Sequence, residues 1–123
     1  MNRSRDVMGQ HLLADLDGIH PARLRDLEGQ RRVLSEALEE TGHTILDCTS
    51  HEFAGGGFTM LFLLAESHLS VHTYPERGYL AFDLFSCGPH DPRRVLAGLV
   101  ELLRPGSCDE RVMRRMSRPL AAL

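Results

Sequence analysis

The run Phe58-Thr59-Met60-Leu61-Phe62-Leu63-Leu64-Ala65 is strongly apolar, and neither of its two sets of alternate positions is polar as a set. A strand sends alternate side chains to opposite faces of its sheet, so this one asks for cover on both sides. The rest of the chain offers helical cover for one side only. From about Glu28 to Thr41, the residues Val33, Leu34, Ala37 and Leu38 share a helical stripe, and Gly42 stands where a C-terminal cap glycine belongs. A second helix opens with Asp91 as N-cap and Pro92 at the first helical position. It continues through Val95, Leu96, Leu99, Leu102 and Leu103 to a stop at Pro105-Gly106.

Around these helices the strands read as His11 to Leu16, ending at the Asp17-Gly18 turn, and Thr44 to Phe53, ending before Gly55-Gly56-Gly57. Phe58 to Ala65 follows, then Leu69 to Tyr74, which stops at Pro75. Tyr79 to Phe85 is reached across Glu76-Arg77-Gly78, read as a hairpin turn, and a weaker last strand runs from about Asp109 to Met116. The order β-α-β-β-β-β-α-β predicts an α+β two-layer sandwich, a mainly antiparallel sheet with two helices on one face. The other sheet face would be a large exposed apolar patch. A second copy covering it predicts a homodimer in an α-β-β-α arrangement; a long loop or the C-terminal tail is the alternative cover.

With 123 residues and no linker or repeat, the chain is expected to form one domain, 1–123. Its 14 Lys+Arg against 17 Asp+Glu give a net charge of −3, without the basic bias of a nucleic-acid binder. Arg111, Arg114, Arg115 and Arg118 are the one basic concentration and read as a solvated strand face or tail. No apolar stretch approaches the roughly 18 residues of a membrane span. The start, Met-Asn-Arg-Ser-Arg-Asp, lacks the apolar segment of a signal peptide, so a cytoplasmic protein is expected. Cys48, Cys87 and Cys108 are widely spaced and odd in number, which favours free thiols over disulfides or a cysteine-rich metal site.

Chemistry concentrates in Ala65-Glu66-Ser67-His68-Leu69-Ser70-Val71-His72-Thr73-Tyr74-Pro75-Glu76. Hydroxyls, two imidazoles and two carboxylates lie here between apolar strands, and polar groups in such a setting are hydrogen-bonded or functional. Three readings are open from spacing alone. His68 and His72 could share a metal, although HxxxH without a third ligand is a weak signal. Ser67 could be a hydrolase nucleophile, but the GxSxG elbow is missing. Or these are strand-end groups bonding to backbone.

The run AESHLSVHTYPERGYLAFDLFSCG closely resembles the bacterial and archaeal S-adenosylmethionine decarboxylase proenzymes, a pyruvoyl-dependent family. The resemblance extends from Gly9-Gln10-His11-Leu12-Leu13 through the second helix. It implies self-cleavage between Glu66 and Ser67 into chains 1–66 and 67–123, with Ser67 becoming a pyruvoyl group that forms a Schiff base with the substrate. It further implies His72 as the processing histidine and Cys87 as the proton donor in turnover. Thr59 stands where the family usually has a processing serine. Phe53 is implied to stack on adenine and Glu76 to bind the ribose. The implied reaction is decarboxylation of S-adenosylmethionine for polyamine synthesis, with no metal and no pyridoxal phosphate. Ornithine or arginine as substrate, or a non-catalytic binding homologue, are the alternatives. Relatives commonly carry Ser-Pro-Gln-Gly-Val where this chain has Ala54-Gly55-Gly56-Gly57-Phe58, so a more flexible loop is expected near the pocket. On this view Cys87→Ala is expected to leave cleavage intact.

Overall fold

The computed structural model describes residues 9–115. Six strands, β1 (Gly9–Asp17), β2 (Ile45–Glu52), β3 (Phe58–Leu64), β4 (Ser67–Tyr74), β5 (Tyr79–Cys87) and β6 (Ser107–Arg115), form one sheet in the order β2-β3-β4-β5-β1-β6. Every neighbouring pair is antiparallel. Helices α1 (Pro21–Leu24), α2 (Leu27–Glu40) and α3 (Pro92–Leu103) complete the α+β fold.

The local chemistry explains the element ends. The Asp26 carboxylate accepts from the Gly29 amide at 3.0 Å and Asp91 from the Arg93 amide at 3.0 Å, so α2 and α3 each have a side-chain N-cap. Gly42, at φ +88, follows the last turn of α2 as expected. The short α1 has no periodic signal in the sequence. It is held by Gln30, whose amide donates to the Arg23 and Leu24 carbonyls at 3.0 and 3.2 Å. That contact satisfies the amide nitrogen of this fully buried glutamine, while its Oε1 has no hydrogen-bond partner among the described residues. The hairpin turn expected at Glu76–Gly78 is present between the paired Tyr74 and Tyr79, and takes the form of a 3-10 turn, Pro75–Arg77, closed by Gly78 at φ +63.

Phe58, Met60, Phe62 and Leu64 of β3 pack under the helices with Leu12, Leu16, Leu69, Leu80 and Leu84, and Val95, Leu96, Leu99 and Leu103 meet them from α3. Each such burial contributes about 1.5–3 kcal/mol. Among the described residues no helix lies on the opposite face. Leu61 and Leu63 lie there 44% and 56% exposed, as the apolar run requires. The neighbouring strands differ from that expectation, because β4 and β5 place His68, Ser70, His72 and Asp83 on this face. It is therefore a mixed polar and apolar surface rather than a uniformly apolar one.

Arg111, Arg114 and Arg115 lie on the edge strand β6, where charge discourages edge-to-edge pairing. Arg118, the Met116 end of the last strand and the N-terminal Met1 to Asp6 lie outside the described residues. Among the described residues no helix is long and apolar enough to cross a membrane.

Candidate active site

The β3–β4 register pairs Leu64 with Ser67, leaving Ala65 and Glu66 as a two-residue loop. Glu66 takes φ +64, a left-handed conformation that costs a non-glycine residue on the order of 1–2 kcal/mol. The Glu66–Ser67 bond thus lies in a hairpin turn held away from its relaxed geometry. Cys87, at the end of β5, donates its thiol to the Glu66 carbonyl oxygen at 2.7 Å. Burial, with the Glu66 carboxylate adding to it, pushes the Cys87 pKa up. The sulfur is thereby kept in the protonated form that can donate.

A second group of side chains gathers at the other end of the same hairpin. Thr59 and His72 face each other across β3 and β4, with Thr59 Oγ1 2.9 Å from His72 Nδ1. They line a cavity of about 340 Å³ with Phe53, Tyr74 and Glu76. Phe53 is 55% exposed, so it is a wall of this cavity and not a core residue. The His51 ring lies against it at 4.8 Å.

The loop that carries Phe53 is closed by the Phe53 amide on the Gly57 carbonyl at 2.7 Å and the Gly56 amide on the Phe53 carbonyl at 3.1 Å. Gly55 and Gly56 sit at φ +94 and +92, and a Cβ on Gly57 would meet the Thr73 carbonyl oxygen at 2.8 Å. Arg25 also donates to the Gly55 carbonyl at 3.1 Å. The three glycines are therefore demanded by a tight hydrogen-bonded turn, where the sequence suggests only a slack loop.

The residues singled out by sequence thus fall into two sets. Glu66, Ser67 and Cys87 meet at the hairpin junction; Phe53, Thr59, His72 and Glu76 meet around the cavity. The sets do not meet each other within one chain. From position 67 to position 72 the strand advances about 16 Å at ~3.3 Å per residue. His68 and His72 part company as well. His72 bonds to Thr59, whereas His68 lies near His11 and Asp83, whose side chains bond directly to each other. Those three could crowd around a metal ion, but Arg115 stacks on the Phe85 ring at 5.6 Å, the same ring that His11 and His68 approach. One polar cluster has no sequence signal at all, because its members are far apart in the chain: Thr41, His43, Ser86 and His90, on the helix side behind Cys87.

These features define a small α+β protein whose chemistry is concentrated on one hairpin and the strand end beside it. The family model described as S-adenosylmethionine decarboxylase matches residues 10–116. The chain is 42% identical over 100 residues to the S-adenosylmethionine decarboxylase proenzyme of Brevibacillus brevis, covering 80% of this chain and 75% of that one. It is 35% identical over 115 residues to the proenzyme of Persephonella marina, covering 93% and 86%. The crystal structure of the adenosylmethionine decarboxylase from Aquifex aeolicus is similar with a TM-score of 0.81 at 32% identity, over 89% of this chain and 92% of that one. The chain belongs to the S-adenosylmethionine decarboxylase family.

Proposed function

We propose that this protein is a proenzyme that cleaves itself between Glu66 and Ser67 and then decarboxylates S-adenosylmethionine. The observation that carries the reading is the Glu66–Ser67 junction itself: a backbone at φ +64, a hydroxyl immediately after the carbonyl, and a thiol donating to that carbonyl.

Ser67 Oγ attacks the Glu66 carbonyl carbon, and the peptide C–N bond breaks as an ester forms. Negative charge gathers on the carbonyl oxygen during the attack, where the Cys87 thiol already donates. Removal of the Ser67 α-proton then expels the Glu66 carboxylate through cleavage of the Cβ–O bond. The dehydroalanine left behind takes up water and releases ammonia, leaving chains 1–66 and 67–123, the latter headed by a pyruvoyl group. The residues present fit that group, since a hydroxyl, an activated carbonyl and a protonated thiol meet at one point. A pyruvoyl group supplies an electron sink for loss of CO₂ from an amino acid. Around it Cys87 holds the proton to be delivered, Phe53 offers a ring face to adenine, and Glu76 offers a carboxylate to ribose hydroxyls. No metal or pyridoxal phosphate enters this scheme. The pairing of a ring and a carboxylate around one cavity favours a nucleoside substrate over ornithine or arginine, which would use neither.

The roughly 16 Å between Ser67 and His72 supports a homodimer with the uncovered sheet faces together. A two-fold axis near the middle of β4 brings the Thr59–His72 pair of one copy over the junction of the other. Each site is then built from both chains, and Leu61 and Leu63 are covered in the same step. The free Cys48, Cys87 and Cys108 support a reducing, cytoplasmic setting.

Intact mass measurement, together with CO₂ release from carboxyl-labelled S-adenosylmethionine, ornithine and arginine, tests the proposal. Two fragments and release from S-adenosylmethionine are expected. A persistently uncleaved chain, or release from ornithine alone, overturns it.

A further inference from the structure

His43 lies in the connection between α2 and β2, buried on the helix side of the sheet. Its hydrogen bonds fix its tautomer. Thr41 Oγ1 stands 2.8 Å from the Ala37 carbonyl and 3.1 Å from the Leu38 carbonyl, so its single proton goes to these acceptors. His43 Nδ1, 2.9 Å from the same oxygen, must therefore donate to it. A neutral imidazole with its proton on Nδ1 has a bare Nε2, and the buried Ser86 hydroxyl donates to that nitrogen at 2.8 Å. Burial, reinforced by the nearby His90, lowers the His43 pKa and favours this neutral form. The His90 ring packs on the His43 ring with centroids 4.5 Å apart.

Ser86 and His90 flank Cys87 in sequence. The ladder between β4 and β5 ends at the His68–Phe85 pair, so beyond Phe85 the strand is paired only with β1, through Gln10–Ser86 and Gly9–Cys87. Gly88, at φ +77, turns the chain away immediately afterwards. The end of β5 is thus paired on one side only at the residue whose sulfur must meet the Glu66 carbonyl.

We propose that His43 is a positioning residue for Cys87, gripping Ser86 before it and His90 after it so that the thiol stays on the Glu66 carbonyl. The proposal rests on the reading of Cys87 given above. It is a role for groups on the far side of the sheet from the reacting bond, acting through the strand end.

The test follows self-cleavage of the full chain over time, and iodoacetamide labelling of Cys87 by peptide mass mapping in the uncleavable Ser67→Ala background. Ser86→Ala and His43→Ala each break the same hydrogen bond. Each is expected to slow cleavage by about fivefold, the loss of one buried hydrogen bond, and to raise Cys87 labelling by a similar factor. Ser86→Thr, which keeps the hydroxyl, is expected to restore both. The double variant is expected to be no slower than the slower single one, since one interaction is lost in all three. Wild-type cleavage by Ser86→Ala and His43→Ala, with slow cleavage by Cys87→Ala, overturns the positioning role and leaves the reading of Cys87 standing. Wild-type cleavage by Cys87→Ala overturns that reading, and this inference with it. Slow cleavage by Ser86→Ala with unchanged Cys87 labelling marks a general loosening and also overturns the proposal.

Discussion

The Cys87 thiol donates to the carbonyl oxygen of Glu66 at 2.7 Å, so the sulfur assigned to proton delivery during turnover already rests on the bond proposed for cleavage. This contact changes the expectation drawn from sequence. A donor preorganised on a carbonyl stabilises the charge that develops there during attack, and removing one such donor costs as much as 10²–10³ in rate in the strongest cases. Cys87→Ala is therefore expected to slow self-cleavage by roughly 10- to 100-fold, while Cys87→Ser retains part of the rate. A time course of fragment formation checks this. Because burial and Glu66 raise the thiol's pKa, Cys87 in the uncleaved chain is expected to be alkylated only at higher pH than an ordinary cysteine.

Separation of the junction from Thr59 and His72 gives a complementation test. His72→Ala is expected to cleave more slowly than wild type by on the order of 100-fold, within the usual range for losing a positioned acid–base group. Ser67→Ala is expected not to cleave at all. Co-expressed in mixed dimers, the His72→Ala chain keeps its own Ser67 and Cys87 and borrows the intact His72 of its Ser67→Ala partner. One complete site results, and the His72→Ala chain is cut. With distinguishable tags on the two chains, mass measurement reads the outcome directly. If His72 acted on its own chain's junction, the His72→Ala chain would stay as slow as it is alone.

Much of this architecture is legible in the sequence, for definite physical reasons. The Asp91-Pro92 start of α3 and the Gly42 end of α2 are local signals, and local signals survive folding. The apolar Phe58–Ala65 run announces a strand, and its alternation puts Leu61 and Leu63 on the outer face. The hairpin over Ala65 and Glu66 is less legible, because neither residue favours a left-handed turn. Its φ +64 is imposed by the Leu64–Ser67 register. The division of the site was not legible either. Ser67 and His72 are close in sequence, and only their placement on one extended strand shows that they are too far apart to react together. The Thr41–His43–Ser86 chain depends on a contact between residues 43 positions apart, which no spacing rule anticipates.

His43 also gives a pH dependence with a definite sign. Burial, then the neighbouring His90, lowers its pKa in the folded chain, whereas in the unfolded chain it takes up a proton near pH 6.5. As pH falls through that range the unfolded chain binds more protons, so the folded state loses stability. The contribution of His43 is complete above about pH 6.5 and declines below it, toward its lowered folded pKa. Denaturant melts at pH 7.5 and 5.5 are expected to show a larger loss for wild type than for His43→Gln, which cannot titrate. Equal losses in the two proteins would place the acid sensitivity on other groups.

The cavity wall makes a prediction that separates binding from cleavage. Phe53 is presented at the end of β2 by a turn that tolerates no Cβ at Gly57, where the Thr73 carbonyl oxygen stands 2.8 Å away. Phe53→Ala removes the ring without altering the turn. Stacking of a base on an aromatic side chain is worth about 1–3 kcal/mol, so KM for S-adenosylmethionine is expected to rise at least about fivefold, with little effect on fragment formation. Gly57→Ala must instead push the turn away from β4, carrying Phe53 with it. It is expected to raise KM by a comparable factor although the ring is still present. Gly55→Ala has open space around its Cβ and meets only the strain of φ +94, so its effect should appear mainly as lower thermal stability, by roughly 1–2 kcal/mol. Steady-state kinetics on fully cleaved protein, alongside thermal melts, distinguish the three. An unchanged KM in Phe53→Ala would remove the ring from the substrate's path and, with it, the main support for a nucleoside in this cavity.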